Sequence, residues 1–334
     1  MPLFQHLAID LGTAYSVAYL FSDDSFLWEP TFVALKRDGR FPLAIGREAK
    51  AMYGLNPSNI RVVQPLADGV ISDFEVCSLY LQCLIKKALK KKRGIVRNVL
   101  FCLPWGATDV EVRAYRKQLE LFPFSRIFLV REPYAAALGA DISLENPSGS
   151  LVIDLGGGTT EITVLSLNGI VQCVSLKVGG NAMDLSIKQE IENRHRFSIG
   201  LKTAEEIKIR HGSIAPVIED HDFEIKGFHR LYRFPRKKQI NSSDIRQALE
   251  VPVQKILSGI AYSLESLTPE LISDISAKGA VLVGGGALLK GWPERIKKRF
   301  NLSVQIPENP HFCVIRGMKK ILLDLKKYQP LLEE

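Results

Sequence analysis

Apolar positions in this 334-residue chain fall in short runs closed by glycine, proline or polar clusters. Runs of that kind, where they are continuous or alternate with period two, predict strands. Residues 7–20 read LAIDLGTAYSVAYL: an apolar strand, Asp-Leu-Gly, a small-residue turn and a second strand. The same order returns at 151–165 as LVIDLGGGTTEITVL. Each run therefore predicts a β-hairpin, and the chain carries two of them far apart.

Between the hairpins the pattern alternates in type. Residues 31–48 predict short strands around an Asp38-Gly39 turn, then a short helix near 47–53. A loop with Pro57 and Pro65 leads into DGVISDF at 68–74. Val76, Leu79, Leu84, Ile85, Ala88 and Leu89 recur at helical spacing, with Gly94 as the stop. A buried strand at 97–104, a helix at 108–121 and a strand at 126–131 follow. Glu132-Pro133 opens a helix through Ala140, since proline is favoured at a first helical position. Asn146-Pro147-Ser148-Gly149 reads as a linker. Beyond the second hairpin come a strand at 170–178 and a helix at 182–195. TAEE at 203–206 reads as a capping box. Residues 214–240 predict strands of an inserted subdomain, and 243–265 a long helix bent near Pro252. A strand at 279–283, a helix at 288–299, a strand at 302–306 and a last helix at 312–327, packing back on the first half, complete the pattern. Alternating strands and helices place the chain in the α/β class, and its length predicts two domains.

Composition changes this picture little, with 46% hydrophobic and 24% charged residues. No apolar run reaches the roughly 18–20 residues that span a bilayer. The N-terminus lacks a basic segment followed by an apolar core, so secretion is not expected. Five scattered cysteines without CxxC spacing predict free thiols in a reducing, cytoplasmic compartment. Six histidines show no metal-ligand spacing, and His221 and His229 read as surface residues of a hairpin. The net charge is +8. Its densest cluster is Lys86, Lys87, Lys90, Lys91, Lys92 and Arg93. That cluster is either a helix end whose cations suit the dipole or a contact for an anionic membrane or partner. No aromatic residues interleave with it, so nucleic acid is not an expected partner.

The hairpin turns carry the candidate chemistry. A triphosphate can be held by backbone N–H groups from tight turns, which requires glycine and small residues because a Cβ atom blocks close approach. Gly12-Thr13-Ala14 and Gly156-Gly157-Gly158-Thr159-Thr160 supply such turns. Asp10 and Asp154 precede them, placed to hold Mg²⁺ through waters. One strand–Asp–Gly–strand unit is ordinary turn chemistry; two copies at equivalent positions point to phosphate. Gly284-Gly285-Gly286 is either a tight strand-to-helix turn or a floor for a purine ring. Neither a dinucleotide fingerprint nor a P-loop is present. Glu132 either orients an attacking water or is a carboxylate favoured by a helix N-terminus. Glu205 and Lys208 share a helix face, as ribose ligands or as a surface ion pair.

These motifs resemble the actin/Hsp70/sugar-kinase ATPase superfamily, and EPTFVAL (29–35), DGVISDF (68–74), CLPWGATDVEVRAYR (102–116), REPYAAALGA (131–140), TAEEIK (203–208) and PELISDISAKGAVLVGGGALLKG (269–291) are similar to the bacterial actin MreB family. The likeness covers nearly the whole chain. It implies an actin-like ATPase fold of two similar domains with duplicated ribonuclease-H-like cores, each with an inserted subdomain. The implied boundaries are 1–30, 66–145 and 313–334 for subdomain IA, 31–65 for IB, 146–180 and 242–312 for IIA, and 181–241 for IIB. It implies ATP or ADP with Mg²⁺ in a central cleft and slow hydrolysis coupled to polymerisation. Carried over by position, Asp10 and Asp154 become the metal acids, and Glu132, Thr159 and Asp154 the catalytic set. Gly12, Thr13, Ala14, Tyr15, Gly156, Gly157, Gly158, Thr159 and Gly179 become phosphate contacts; Glu205, Lys208, Gly284, Gly285 and Gly286 become nucleoside contacts.

The family's partners would be copies of the chain in paired protofilaments, membrane morphogenesis proteins, and the inner membrane face, reached through the lysine cluster with Ile95 and Val96. The implied role is organisation of cell shape and cell-wall synthesis. The alternatives are a magnetosome- or plasmid-positioning filament, or an ATP-binding scaffold with little hydrolysis. Four positions depart from the family pattern: Tyr15 where Asn is usual, Arg131 in place of an acid, Asn181 in place of Asp, and VIRGMKK (314–320) in place of a glycine run.

Overall fold

A computed structural model of the chain describes residues 4–21, 24–37, 39, 41–89, 95–215, 219–229 and 234–333. The chain forms two compact units, Met1–Glu145 with His311–Glu334, and Asn146–Pro310. The Asp38 turn, the cations at 90–93 and the Gly94 stop lie outside the described residues.

In the first unit β1 (Phe4–Leu11), β2 (Tyr15–Leu20) and β3 (Ser25–Pro30) form an antiparallel meander. β4 (Val33–Lys36), β5 (Pro42–Ile45) and β6 (Ile60–Val63) make a small sheet under α1 (Arg47–Met52), with Phe32, Ala34, Ala44 and Ala49 as its core. The two-residue strands β7 (Leu66–Ala67) and β8 (Val70–Ile71) lead into α2 (Phe74–Leu89). Then follow β9 (Ile95–Leu103), α3 (Asp109–Leu119), β10 (Arg126–Arg131) and α4 (Glu132–Gly139). β9 pairs in parallel with both β1 and β10. A parallel centre must be covered on both faces. One face receives Tyr80, Leu81, Leu84 and Ile85 of α2 against Leu7, Ile9 and Phe101.

The second unit repeats this plan. β11 (Ser150–Leu155), β12 (Thr160–Ser166) and β13 (Gly169–Leu176) form the meander. α5 (Gly180–His195), β14 (Phe197–Ser198), α6 (Leu201–His211) and the hairpin β15 (Asp222–His229) with β16 (Pro235–Asn241) follow. α7 (Ser242–Glu265), with Pro252 inside it and buried, precedes α8 (Pro269–Lys278), β17 (Ala280–Val283), α9 (Trp292–Phe300) and β18 (Val304–Gln305). β17 pairs in parallel with β11 and β18. The strand orders β10-β9-β1-β2-β3 and β18-β17-β11-β12-β13 are the same motif written twice.

The chain returns to the first unit through α10 (Cys313–Leu323), α11 (Leu325–Tyr328) and the edge strand β19 (Leu332–Glu333). α10 packs on α4 and β1. Its approach to α4 is backbone to backbone: a Cβ on Gly317 would lie 1.9 Å from the Ala135 carbonyl oxygen, and one on Gly139 1.7 Å from that of Cys313.

Several expectations are corrected. TAEE is not a capping box: α6 starts at Leu201 with Gly200 as its cap, so Thr203 is already inside the helix. The box belongs to α3, where Thr108 Oγ1 accepts from the Glu111 N–H and the Glu111 carboxylate accepts from the Thr108 N–H. α8 was not anticipated, although Thr268-Pro269 marks its start: the Thr268 side chain caps it. The helix expected from 288 begins at Trp292, because Gly285–Leu288 form a 3₁₀ turn. The last helix breaks at Asp324, whose side chain caps α11. Val96 does not present itself to a membrane: β9 starts two residues earlier than expected, and its pairing with β1 turns Val96 into the core.

Substituting Gly317→Ala forces α10 off α4 and lowers the unfolding free energy by about 1–3 kcal/mol. Urea denaturation followed by circular dichroism measures this; an unchanged midpoint contradicts the packing role.

Candidate functional site

Each unit carries its own turn. In the first, β1 ends at Leu11 and β2 begins at Tyr15, which leaves residues 12–14 as the connection. The turn's carbonyls are fastened from outside: Thr31 donates its hydroxyl to Gly12 O (2.7 Å) and its N–H to Ala14 O (2.9 Å). Ser16 shares a hydroxyl hydrogen bond with Thr31 (2.8 Å), and the Gly69 N–H donates to Thr13 Oγ1 (3.1 Å). The N–H groups of Thr13 and Ala14 donate to no acceptor among the described residues. A Cβ on Gly12 would lie 2.5 Å from Tyr15 O, so only glycine allows the turn to close.

The second turn is built alike. The Gly156 N–H donates to Thr159 O (2.9 Å), and the N–H groups of Gly157, Gly158 and Thr159 have no acceptor among the described residues. Here the start of α5 supplies the fastening, with Gly180 N–H to Gly156 O (3.0 Å) and Asn181 N–H to Gly157 O (2.8 Å). A Cβ on Gly179 would lie 2.7 Å from both carbonyl oxygens, which explains the glycine pair at this helix start. A run of unpaired N–H groups beside a helix N-terminus is an anion cradle. Lys208 of α6 ties down the same place, donating to Gly180 O and pairing with Asp184, both at 2.8 Å. The ammonium proposed as a ribose ligand is thus engaged at the base of the cradle.

Asp154 sits at the end of β11 in the core of its unit. Burial pushes its carboxyl up to about 7, and Oδ2 is enclosed without a hydrogen-bond partner. A buried oxygen of that kind suits the water shell of a divalent cation, whose charge reverses the effect of burial. Gly284, at φ +80°, makes room for this carboxylate: a Cβ there would lie 2.3 Å from Asp154 Oδ1. Gly286 is packed on Leu155 and accepts from Trp292 Nε1 (3.0 Å); only Gly285 borders open space. The three glycines therefore serve different ends. Asp10 holds the position in β1 that Asp154 holds in β11, paired with Val17 as Asp154 is with Glu161.

Glu132 is the first residue of α4 and half-buried, with Pro133 behind it. The α4–α10 contact fixes this helix. Arg131 beside it pairs with Glu333 of β19 (2.8 Å), so the departure at 131 is matched by the terminal strand. Glu205 lies on α6, one turn before Lys208. Thr31, which clamps the first turn, was quoted from the sequence within EPTFVAL without a role.

The duplicated sheets, each bearing an Asp-Leu-Gly hairpin, define an actin-like protein. The MreB/Mbl protein family matches residues 4–330, and the chain belongs to that family. It is 40% identical over 323 residues to the cell shape-determining protein MreB of Escherichia coli strain K12, covering 95% of this chain and 92% of that protein. It is 36% identical over 321 residues to the cell shape-determining protein Mbl of Bacillus subtilis strain 168, covering 96% of each. The crystal structure of MreB 5 of Spiroplasma citri bound to AMPPNP superposes with a TM-score of 0.91 at 32% identity over 99% of both chains. The MamK double helical filament, at 22% identity and a TM-score of 0.79 over 96% of this chain and 99% of that one, shares the fold.

The raised Asp154 carboxyl has a consequence for stability without metal. The folded chain keeps that proton up to about pH 7, whereas an unfolded Asp loses it near 3.9. The folded state binds more protons in between, so this group's contribution to stability falls as pH rises from about 4 to 7. Asp154→Asn, unfolded by urea in EDTA at pH 5 and pH 7.5, is expected to show a flatter pH dependence than the wild type; an identical slope contradicts the assignment.

Proposed function

We propose that this chain is a filament-forming bacterial actin that binds ATP with Mg²⁺, hydrolyses it slowly, and organises cell shape at the membrane. The observation that carries the reading is the pair of turns whose N–H groups are left unpaired, in a chain of the MreB/Mbl family. Structures of MreB 5 of Spiroplasma citri with AMPPNP and with ADP support nucleotide as the ligand.

In this reading Thr13, Ala14, Gly157, Gly158 and Thr159 direct N–H groups at the phosphates, with Gly12, Gly156 and Gly179 permitting the approach. Asp10 and Asp154 hold Mg²⁺ through its waters. The metal supplies charge that offsets the phosphate oxygens. Glu205 and the Gly284–286 turn border the nucleoside, Gly285 being the one with space beside it, while Lys208 holds the base of the second cradle. Glu132 accepts the proton of the attacking water and Thr159 orients that water. The subdomain boundaries follow from the same family reading.

Copies of the chain are the first partner, and an anionic membrane surface the second. The exposed Lys86 and the cations after it are the groups that favour such a surface; Lys87 is held by Glu29 at 2.6 Å.

Purified protein with Mg-ATP is expected to pellet and to show filaments by electron microscopy. Its absence from the pellet across salt concentrations and anionic liposomes contradicts assembly. Glu132→Ala is expected to slow phosphate release by about 10²–10⁴-fold while ATP still binds; a wild-type rate removes Glu132 from the mechanism.

A further inference from the structure

Tyr15 follows directly on the first turn and opens β2. Its ring lies on Trp28 of β3, with centroids 4.5 Å apart and planes at 18°. Its hydroxyl accepts from Lys50 Nζ at 3.1 Å. The same ammonium stands 4.9 Å from the centre of the Tyr15 ring and 5.9 Å from that of Phe32. Lys50 belongs to α1, which packs on β4, β5 and β6. One side chain thus joins the phosphate turn to the small sheet through a stack, a hydrogen bond and a cation–π contact.

The backbone between the two is short and stiff. The missing Cβ of Gly12 faces the carbonyl of Tyr15, and Thr31 holds the carbonyls of Gly12 and Ala14. An anion drawn to the N–H groups of Thr13 and Ala14 therefore bears on the Cα of Tyr15, not on a free loop. An Asn at this position has neither a ring for Trp28 nor the reach to meet Lys50.

We propose that Tyr15 and Lys50 form a relay that carries the state of the first phosphate turn to the small sheet, so that assembly depends on which nucleotide is bound. This rests on the ATP reading above and adds regulation to that same site. Tyr15 and Lys50 are positioning residues; neither is asked to touch the reacting atoms.

Trp28 is the reporter, because its indole is stacked on Tyr15. The test combines mant-ATP affinity, tryptophan emission and the critical concentration for pelleting in Mg-ADP and in Mg-AMPPNP. The proteins are wild type, Trp28→Phe, Tyr15→Asn, Tyr15→Phe and Lys50→Met. In the wild type, exchanging ADP for AMPPNP is expected to change an emission signal that Trp28→Phe lacks, and to lower the critical concentration. Lys50→Met is expected to bind mant-ATP as the wild type does, yet to shrink the ADP-to-AMPPNP ratio of critical concentrations by roughly tenfold, and Tyr15→Asn is expected to shrink that ratio alike. Tyr15→Phe, which keeps the ring beneath the ammonium and loses the hydroxyl, is expected to fall between.

Wild-type ratios and emission changes in both Tyr15→Asn and Lys50→Met overturn the relay, as does a wild-type Trp28 signal indifferent to nucleotide. Failure of the wild type to bind mant-ATP is a different result, since it overturns the ATP reading itself. Lys50 is half-buried, and Lys50→Met keeps the length of its aliphatic stem, so that variant keeps the test open even where Tyr15→Asn disturbs folding.

Discussion

In the proposed nucleotide reading, two stretches of backbone come close to an anion while their N–H groups stay unpaired, and the fastening of each turn answers that requirement. Unpaired N–H groups are costly where water is excluded, so the turns need fastening that uses only their carbonyl oxygens. In the first unit that fastening is Thr31; in the second it is the start of α5. Different residues thus solve one problem in the two copies. The glycines at 12 and 179 follow from the same closeness, because a Cβ at either would meet a carbonyl oxygen.

The acids depend on this frame in turn. Asp154 is enclosed among the residues of its sheet, and its carboxyl is raised because burial disfavours charge. In the reading with Mg²⁺ the cation offsets that cost, and Gly284, at a positive φ that glycine accepts, leaves the carboxylate its space. On the other unit the backbone contact of α10 with α4 gives Glu132 a fixed helix to stand on. Within 314–320, Gly317 stands where a side chain has no room.

Much of this was legible in the sequence. The duplicated Asp-Leu-Gly hairpins predicted the duplicated sheets, since apolar runs broken by small-residue turns have few other solutions. The helix from Pro133 and the strand at 126–131 also followed from local signals. What local pattern missed was decided by tertiary contact. TAEE has the composition of a capping box, but packing starts α6 a turn earlier at Gly200. Val96 looked like part of a basic, apolar surface loop, and only pairing with β1 shows that it points inward. The roles of Thr31, Lys50 and Gly317 were invisible because each acts on a partner far away in the chain.

The central proposal is that the chain binds one nucleotide with Mg²⁺. Titration of the wild-type chain with Mg-ATP by isothermal calorimetry tests it directly. The account predicts saturable binding of one ATP per chain, lost when Mg²⁺ is removed. Binding of two equivalents, or none, contradicts it.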